Sequence, residues 1–251
     1  MNSSERMASV SAAWERNRND LLRYVRRLVI DPDAAEDIVQ TAGLRAVAAE
    51  RSPDGDLDLR KWLFRIASNL AIDELRRRGT WAETALLDSR TDAEADSDFV
   101  AASIALRGTQ DGAAIAREHL AFCFACTLRS FSADRAASLL LVELYGFTVA
   151  EAADVLGASV GQVKNWLQET RASVAARHAD RCALVSKKGV CHQCSELAEF
   201  FDGAPQNPLE GTAGGTEDRL RIMRSADERD LSAWHRRLSQ VIERRARERR
   251  A

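Results

Sequence analysis

The stretch at 147–177, FTVAEAADVLGASVGQVKNWLQETRASVAAR, constrains this chain more than any other. Thr148 with Glu151 has the T-x-x-E spacing of a capping box, and Ser159 with Gln162 repeats it eleven residues later. Two helix starts so close together require a tight turn between them. Gly157 stands where the first helix must stop, because glycine enters the left-handed conformation without a Cβ clash. Ala152, Ala153, Val155 and Leu156 give the first helix a small-residue buried face, and Val160, Val163, Leu167 and Val174 give the second a stripe near the helical period. Ser159, Gln162, Lys164, Asn165, Gln168 and Arg171 are left over, and their side chains hydrogen-bond bases and phosphates. The pattern is a helix-turn-helix whose second helix is offered to a DNA major groove. An ordinary helical hairpin with a solvated polar face has the same pattern, so the rest of the chain must decide.

With 251 residues the chain has room for one to three small domains, and an apolar content of 45% is that of a globular protein. Only 4 prolines and 13 glycines interrupt it, which points to an all-α fold. The formal charge of −2 argues against strong nonspecific DNA affinity by the isolated chain. Basic residues are concentrated at 76–78 and in the tail from Arg236 to Arg250. The amino terminus has no apolar segment of a secretory signal, and the longest apolar run, 136–142, is too short to span a bilayer. A cytoplasmic protein with reduced thiols and no membrane partner is expected.

The first domain is placed at 10–79. Trp14, Leu21, Leu22, Val25, Leu28 and Val29 mark an amphipathic helix that stops at Asp31-Pro32. A second helix, DAAEDIVQTAGLRAVAAE, opens with acidic residues where the helix dipole favours them. After the turn-forming RSPDGDLD comes a third, LRKWLFRIASNLAIDELRRR, with Leu59, Trp62, Leu63, Ile66, Leu70 and Leu75 assigned to its apolar side. Lys61, Arg65, Ser68, Asn69, Asp73, Arg76 and Arg77 are assigned to its other faces.

DAAEDIVQ followed by WLFRIASNLAIDELRRR closely resembles region 2 of bacterial sigma-70-type sigma factors, and the helix-turn-helix resembles their region 4. No region 1.1 or region 3 lies between them, a layout similar to the extracytoplasmic-function (ECF) group. The resemblance implies two helical domains joined by a flexible linker, with core RNA polymerase and promoter DNA as partners. It implies that Asp37, Val39 and Gln40 dock on the polymerase β′ clamp, an acidic face suiting a basic partner. Core placement for Val39 and plain solvation for Asp37 are the other readings. The family pattern continues with an acid and a bulky apolar residue where this chain has Thr41 and Gly43, which either weakens docking or shifts the helix. On the third helix the resemblance places −10 recognition. Asn69 pairs with an unstacked base, while Arg65, Arg76 and Arg77 hold phosphates. Trp62 is read as core.

The acidic segment at 80–112, with Asp92, Glu94, Asp96 and Asp98, reads as a mobile linker. By the resemblance it threads the polymerase cleft; as a simple tether it sets the spacing of the two domains. Region 4 is placed at 113–177, with two helices behind the helix-turn-helix. There the polymerase β flap is the implied contact and the −35 element the implied target of Ser159, Gln162, Lys164, Asn165, Gln168 and Arg171.

Beyond it lies an extension at 178–251. Its Cys182, Cys191 and Cys194, with His178, make a Cys₃His set suited to one tetrahedral Zn²⁺. Cys126 in place of His178 makes a Cys₄ set. Buried thiols with a chance C-x-x-C, or a dithiol switch, fit the same residues. Leu220, Met223, Leu231, Trp234, Leu238, Val241 and Ile242 give the extension an apolar side. From this it is expected to be helical, to fold back on region 2 or 4 and to control polymerase access. A separate anti-sigma factor is a further partner that the resemblance admits. The expected activity is promoter recognition and opening with core polymerase, without catalysis. The rivals are a polymerase-independent helix-turn-helix regulator and a thiol oxidoreductase, the latter lacking a βαβ context.

Overall fold

The computed structural model describes residues 3–80, Ser97, Phe124, Ala125 and residues 127–179. Six α-helices have defined bounds among the described residues, and no strand occurs there. Helix α1, Ser3–Val29, begins seven residues before the expected boundary at 10. It ends at Ile30, whose φ of 66° is unusual for a β-branched residue. The Ile30 side chain is only 3% exposed, so its burial offsets the local strain. Asp31 then caps α2, Pro32–Ala48, accepting a hydrogen bond from the Ala34 amide at 3.1 Å. Pro32 occupies the first helical turn, where no amide hydrogen is needed.

Helix α3, Asp56–Arg78, completes a three-helix core with Leu21, Tyr24, Val25 and Leu28 of α1 and Ile38, Val39 and Ala42 of α2. Its buried face is Leu59, Leu63, Phe64, Ala67, Ser68, Ala71, Ile72 and Leu75. This face is rotated from the expected one: Trp62, Ile66 and Leu70 are only half-buried. The reason lies in the small residues. Ala67, Ser68 and Ala71 let α1 approach closely, whereas a face built on Trp62, Ile66 and Leu70 would hold it away. Ser68, expected on a polar face, is fully buried, with its Oγ 2.8 Å from the Tyr24 hydroxyl. At the end of α3, Arg78 donates to Asp31 at 3.0 Å and also pairs with Glu74, tying this terminus to the α2 cap.

Three more helices follow: α4 (Ala133–Glu143), α5 (Val149–Leu156) and α6 (Val160–Ala179). Met1–Thr80 and Phe131–Thr170 make up one compact unit, so most of both expected domains lies in it. Ser97, the described residues of 124–130 and the last turns of α6 fall in a second unit. Within the first unit, Tyr145 and Phe147, between α4 and α5, meet Tyr24 and Phe64. The Tyr24–Tyr145 ring centroids are 5.4 Å apart edge-on, and the Phe64–Phe147 centroids 5.0 Å apart. Both arrangements suit the aromatic quadrupole. Arg27 donates to the Tyr145 hydroxyl at 3.0 Å. Arg60 donates to the Tyr145 carbonyl at 2.8 Å and lies over the Phe147 ring, 4.3 Å from its centroid. Burial pushes the Tyr24 hydroxyl well above the usual phenol range, against the opposing hydrogen bond with Ser68.

Candidate nucleic-acid interface

The turn into α6 is built as its residues dictate. The Glu151 amide donates to Thr148 Oγ1 at 3.2 Å, and the Thr148 amide to Glu151 Oε2 at 2.8 Å. The bond from the Thr148 backbone, then that from its hydroxyl, holds the Glu151 carboxyl below the usual range, outweighing burial. Gly157 takes the left-handed conformation at φ 62°, and its amide bonds back to Asp154 at 3.2 Å. Across the turn the second box closes. The Gln162 amide donates to Ser159 Oγ at 3.2 Å, and the Ser159 amide to Gln162 Oε1 at 2.9 Å.

Val163, Leu167 and Val174 bury one side of α6. Val160, expected in that stripe, is 43% exposed, because the first turn of the helix projects past the core. All six residues expected to face DNA are exposed: Ser159, Gln162, Lys164, Asn165, Gln168 and Arg171. They are not equivalent. Ser159 Oγ and Gln162 Oε1 are engaged in the cap, leaving Gln162 its amide hydrogens as donors. Asn165 and Gln168 lie in the following turns, and their planar amides match an adenine edge.

A second polar surface lies on α3, where Arg65, Asn69, Arg76 and Arg77 are all exposed. Each arginine has a carboxylate neighbour. Arg65 Nη1 is 3.6 Å from Asp154, Arg76 Nη2 is 3.3 Å from Asp134, and Arg77 Nη2 is 2.6 Å from Glu74. Burial disfavours the charged form of Glu74, but hydrogen bonds from Arg77 and Arg78 outweigh it and hold that carboxyl below the ordinary range. Trp62, Ile66 and Leu70 form a half-exposed apolar ridge on the same helix. This ridge beside exposed arginines escaped the sequence reading, which gave those residues to the core.

On α2, Asp37 and Gln40 are exposed, whereas Val39 is 4% exposed and belongs to the core. Val39 is therefore corrected from a docking residue to a packing residue; a position one after Ile38 still reaches the wide interface between α1 and α3. Leu44 is 73% exposed on the same helix. Gly43 owes its identity to packing. A Cβ there would lie 2.8 Å from Cζ2 of Trp14, so the indole occupies the space a larger residue would take.

The zinc set lies largely elsewhere. Cys126, Cys182, Cys191 and Cys194 are outside the described residues, as is the side chain of His178. Among the described residues, no cluster of three or more His, Cys, Asp or Glu could hold a metal ion. Nor is any helix there long and apolar enough to cross a membrane.

Two family patterns match the helices that carry these surfaces. Sigma-70 region 2 matches residues 13–80, and Sigma-70, region 4 matches residues 121–174. The chain belongs to the sigma-70 family. Its relatives place it in the ECF group. It is 29% identical over 195 residues to the ECF RNA polymerase sigma factor SigG of Mycobacterium tuberculosis, covering 68% of this chain and 49% of SigG. It is 28% identical over 158 residues to the RNA polymerase sigma-H factor of Pseudomonas aeruginosa, covering 62% of this chain and 79% of that protein. With the ECF RNA polymerase sigma factor EcfG of Rhodopseudomonas palustris the identity is 29% over 145 residues, covering 57% of this chain and 71% of EcfG. The chain thus spans about half the length of SigG. In this sigma-70 chain the α3 surface falls within the region 2 match and the α6 surface within the region 4 match. His178, Cys182, Cys191 and Cys194 lie beyond both.

Proposed function

We propose that this chain is a promoter-specificity subunit that binds core RNA polymerase, reads a −35 element with α6 and engages the opened −10 element with α3. It catalyses no reaction of its own. The observation that carries the reading is the exposed amide and cationic face of α6, held behind a complete cap and backed by Val163 and Leu167. On α3, Asn69 reads a displaced base, Arg65, Arg76 and Arg77 hold phosphates, and the Trp62 ridge offers a stacking surface for unpaired bases. Asp37 and Gln40 dock on the β′ clamp, and the region 4 match meets the β flap. One zinc ion bound by Cys182, Cys191, Cys194 and either His178 or Cys126 belongs to the same proposal, resting on the donor set alone.

Run-off transcription with core polymerase on genomic fragments tests it, using protein prepared with and without a chelator. Discrete transcripts that require the chain are expected. Transcripts absent from both preparations would overturn the reading, and tight promoter binding without core polymerase would favour an independent regulator.

A further inference from the structure

Of the large apolar side chains that stand exposed among the described residues, Val160 is the one on α6. It opens the helix, between Ser159, whose Oγ closes the cap, and Gly161. A lone exposed valine is ordinary on a protein surface. The register of this one is not ordinary. Val160 stands one helical turn before Lys164, and Gly161 one turn before Asn165 and two before Gln168. All five residues are exposed, so Val160 and Gly161 complete the amino-terminal end of the strip that carries the amide and cationic side chains. That end of a recognition helix is the part that meets base edges. Gly161 adds a second observation. Gly157 needs its left-handed φ of 62°, whereas Gly161 has no positive φ. A Cβ at Gly161 would meet Ser159 Oγ at 3.9 Å, an ordinary contact distance. Nothing in the described fold therefore requires a glycine there, although glycine is a poor residue for a helix. Its bare backbone instead leaves clearance beside Val160, on the side that faces away from the core.

We infer that Val160 is a specificity-determining residue that packs on the C5-methyl group of a thymine in the −35 element, with Gly161 giving the base edge room to reach it. The inference rests on the proposed function, since it takes α6 as the helix that reads that element. Its chemistry is that of the major-groove edge. The thymine methyl is the one apolar group displayed there, and an apolar side chain is its natural contact. Cytosine offers an amino donor in the same groove. Against the valine methyls that donor would lose its water and gain no acceptor, which disfavours the wrong pyrimidine. The polar members of the strip do different work: Asn165 and Gln168 present planar amides to hydrogen-bonding edges, while Val160 presents none. The strip thus joins one apolar reading position to its polar ones.

The test changes the DNA before it changes the protein. The full chain with core RNA polymerase selects duplexes from a pool randomised through the −35 segment, and Val160→Ala is put through the same selection. Wild type should retain a thymine, on either strand, that the variant no longer requires, with the other selected positions unchanged. Deoxyuridine, which lacks only the methyl group, then replaces that thymine in a selected duplex. Binding by wild type should weaken about fourfold, the worth of one buried methyl, and binding by Val160→Ala should not change. An equal loss in both proteins, or no loss in wild type, overturns the inference. Gly161→Ala separates clearance from folding. Its melting temperature should equal or exceed that of wild type, because alanine is the better helix residue, while its affinity for the selected duplex falls. Undiminished affinity in Gly161→Ala overturns the inference as well. A selection that retains no sequence would remove the proposed function and this reading with it. A retained −35 element indifferent to the loss of every thymine methyl would leave the function standing and remove the role of Val160 alone.

Discussion

Single residues in this chain carry information that composition conceals. Gly43 departs from the sigma-70 pattern at a helical position, and its neighbour Trp14 explains why, since the indole fills the space above it. The sequence contains both residues but not their proximity, so the departure could be seen and its meaning could not. Glu151 is the opposite case, a local device legible from a three-residue spacing and found with both of its hydrogen bonds. Its lowered pKa makes the cap pH-dependent. Because the folded value lies below the unfolded one, the stabilisation is present above the ordinary glutamate value of about 4.3 and is lost as pH falls through the folded value. Glu151→Gln should lower stability by about 0.5–1 kcal/mol at neutral pH, within the range for capping contacts. Urea unfolding at neutral pH and near pH 3 checks this: the gap between variant and wild type should close in acid. A gap that stays constant would mean the carboxylate charge contributes nothing.

At the scale of elements, helix ends were more legible than helix faces. Caps are local, and Asp31-Pro32, Thr148 with Glu151, Gly157, and Ser159 with Gln162 all end or begin helices where the sequence places them. Faces depend on what packs against them. The buried side of α3 turned toward Phe64 and Ser68 because α1 needed small residues to approach, and no periodicity within α3 alone encodes the position of α1. The same distinction separates roles on α6. Ser159→Ala should cost about 1 kcal/mol of stability by removing a cap. Asn165→Ala should leave stability within about 0.5 kcal/mol of wild type. It should still relax discrimination at one base pair of the −35 element by about 1–3 kcal/mol. Gln162→Ala, which touches both functions, should show both losses. Thermal melts paired with selection of bound sequences by the polymerase complex separate these outcomes. If Asn165→Ala leaves base preference intact at every position, the amide face of α6 is not the reading surface.

The whole molecule adds a relation that neither motif announces, a seam of rings shared by helices distant in sequence. Tyr145 and Phe147 stand in the short connection between α4 and α5, and Phe64 lies outside the expected apolar stripe, so their meeting was beyond any local pattern. The seam also ranks the stability of the parts. Helices α1–α3 share a core in Leu21, Val25, Leu28, Ile38, Leu59 and Leu63. Phe147 lies in the connection between α4 and α5 and is 3% exposed against Phe64 and Arg60. Truncating it leaves a cavity and removes a cation–π contact, a change that costs about 3–5 kcal/mol at a buried phenylalanine. If the seam is a separable joint, that cost falls unevenly. In Phe147→Ala, hydrogen exchange should accelerate strongly in α4 and α5 while most amides of α1 and α2 keep their protection, because partial opening exposes only the former. Peptide-resolved exchange at a pH where opening is at equilibrium measures this directly. Equal acceleration in all helices would mean that the unit opens only by unfolding as a whole.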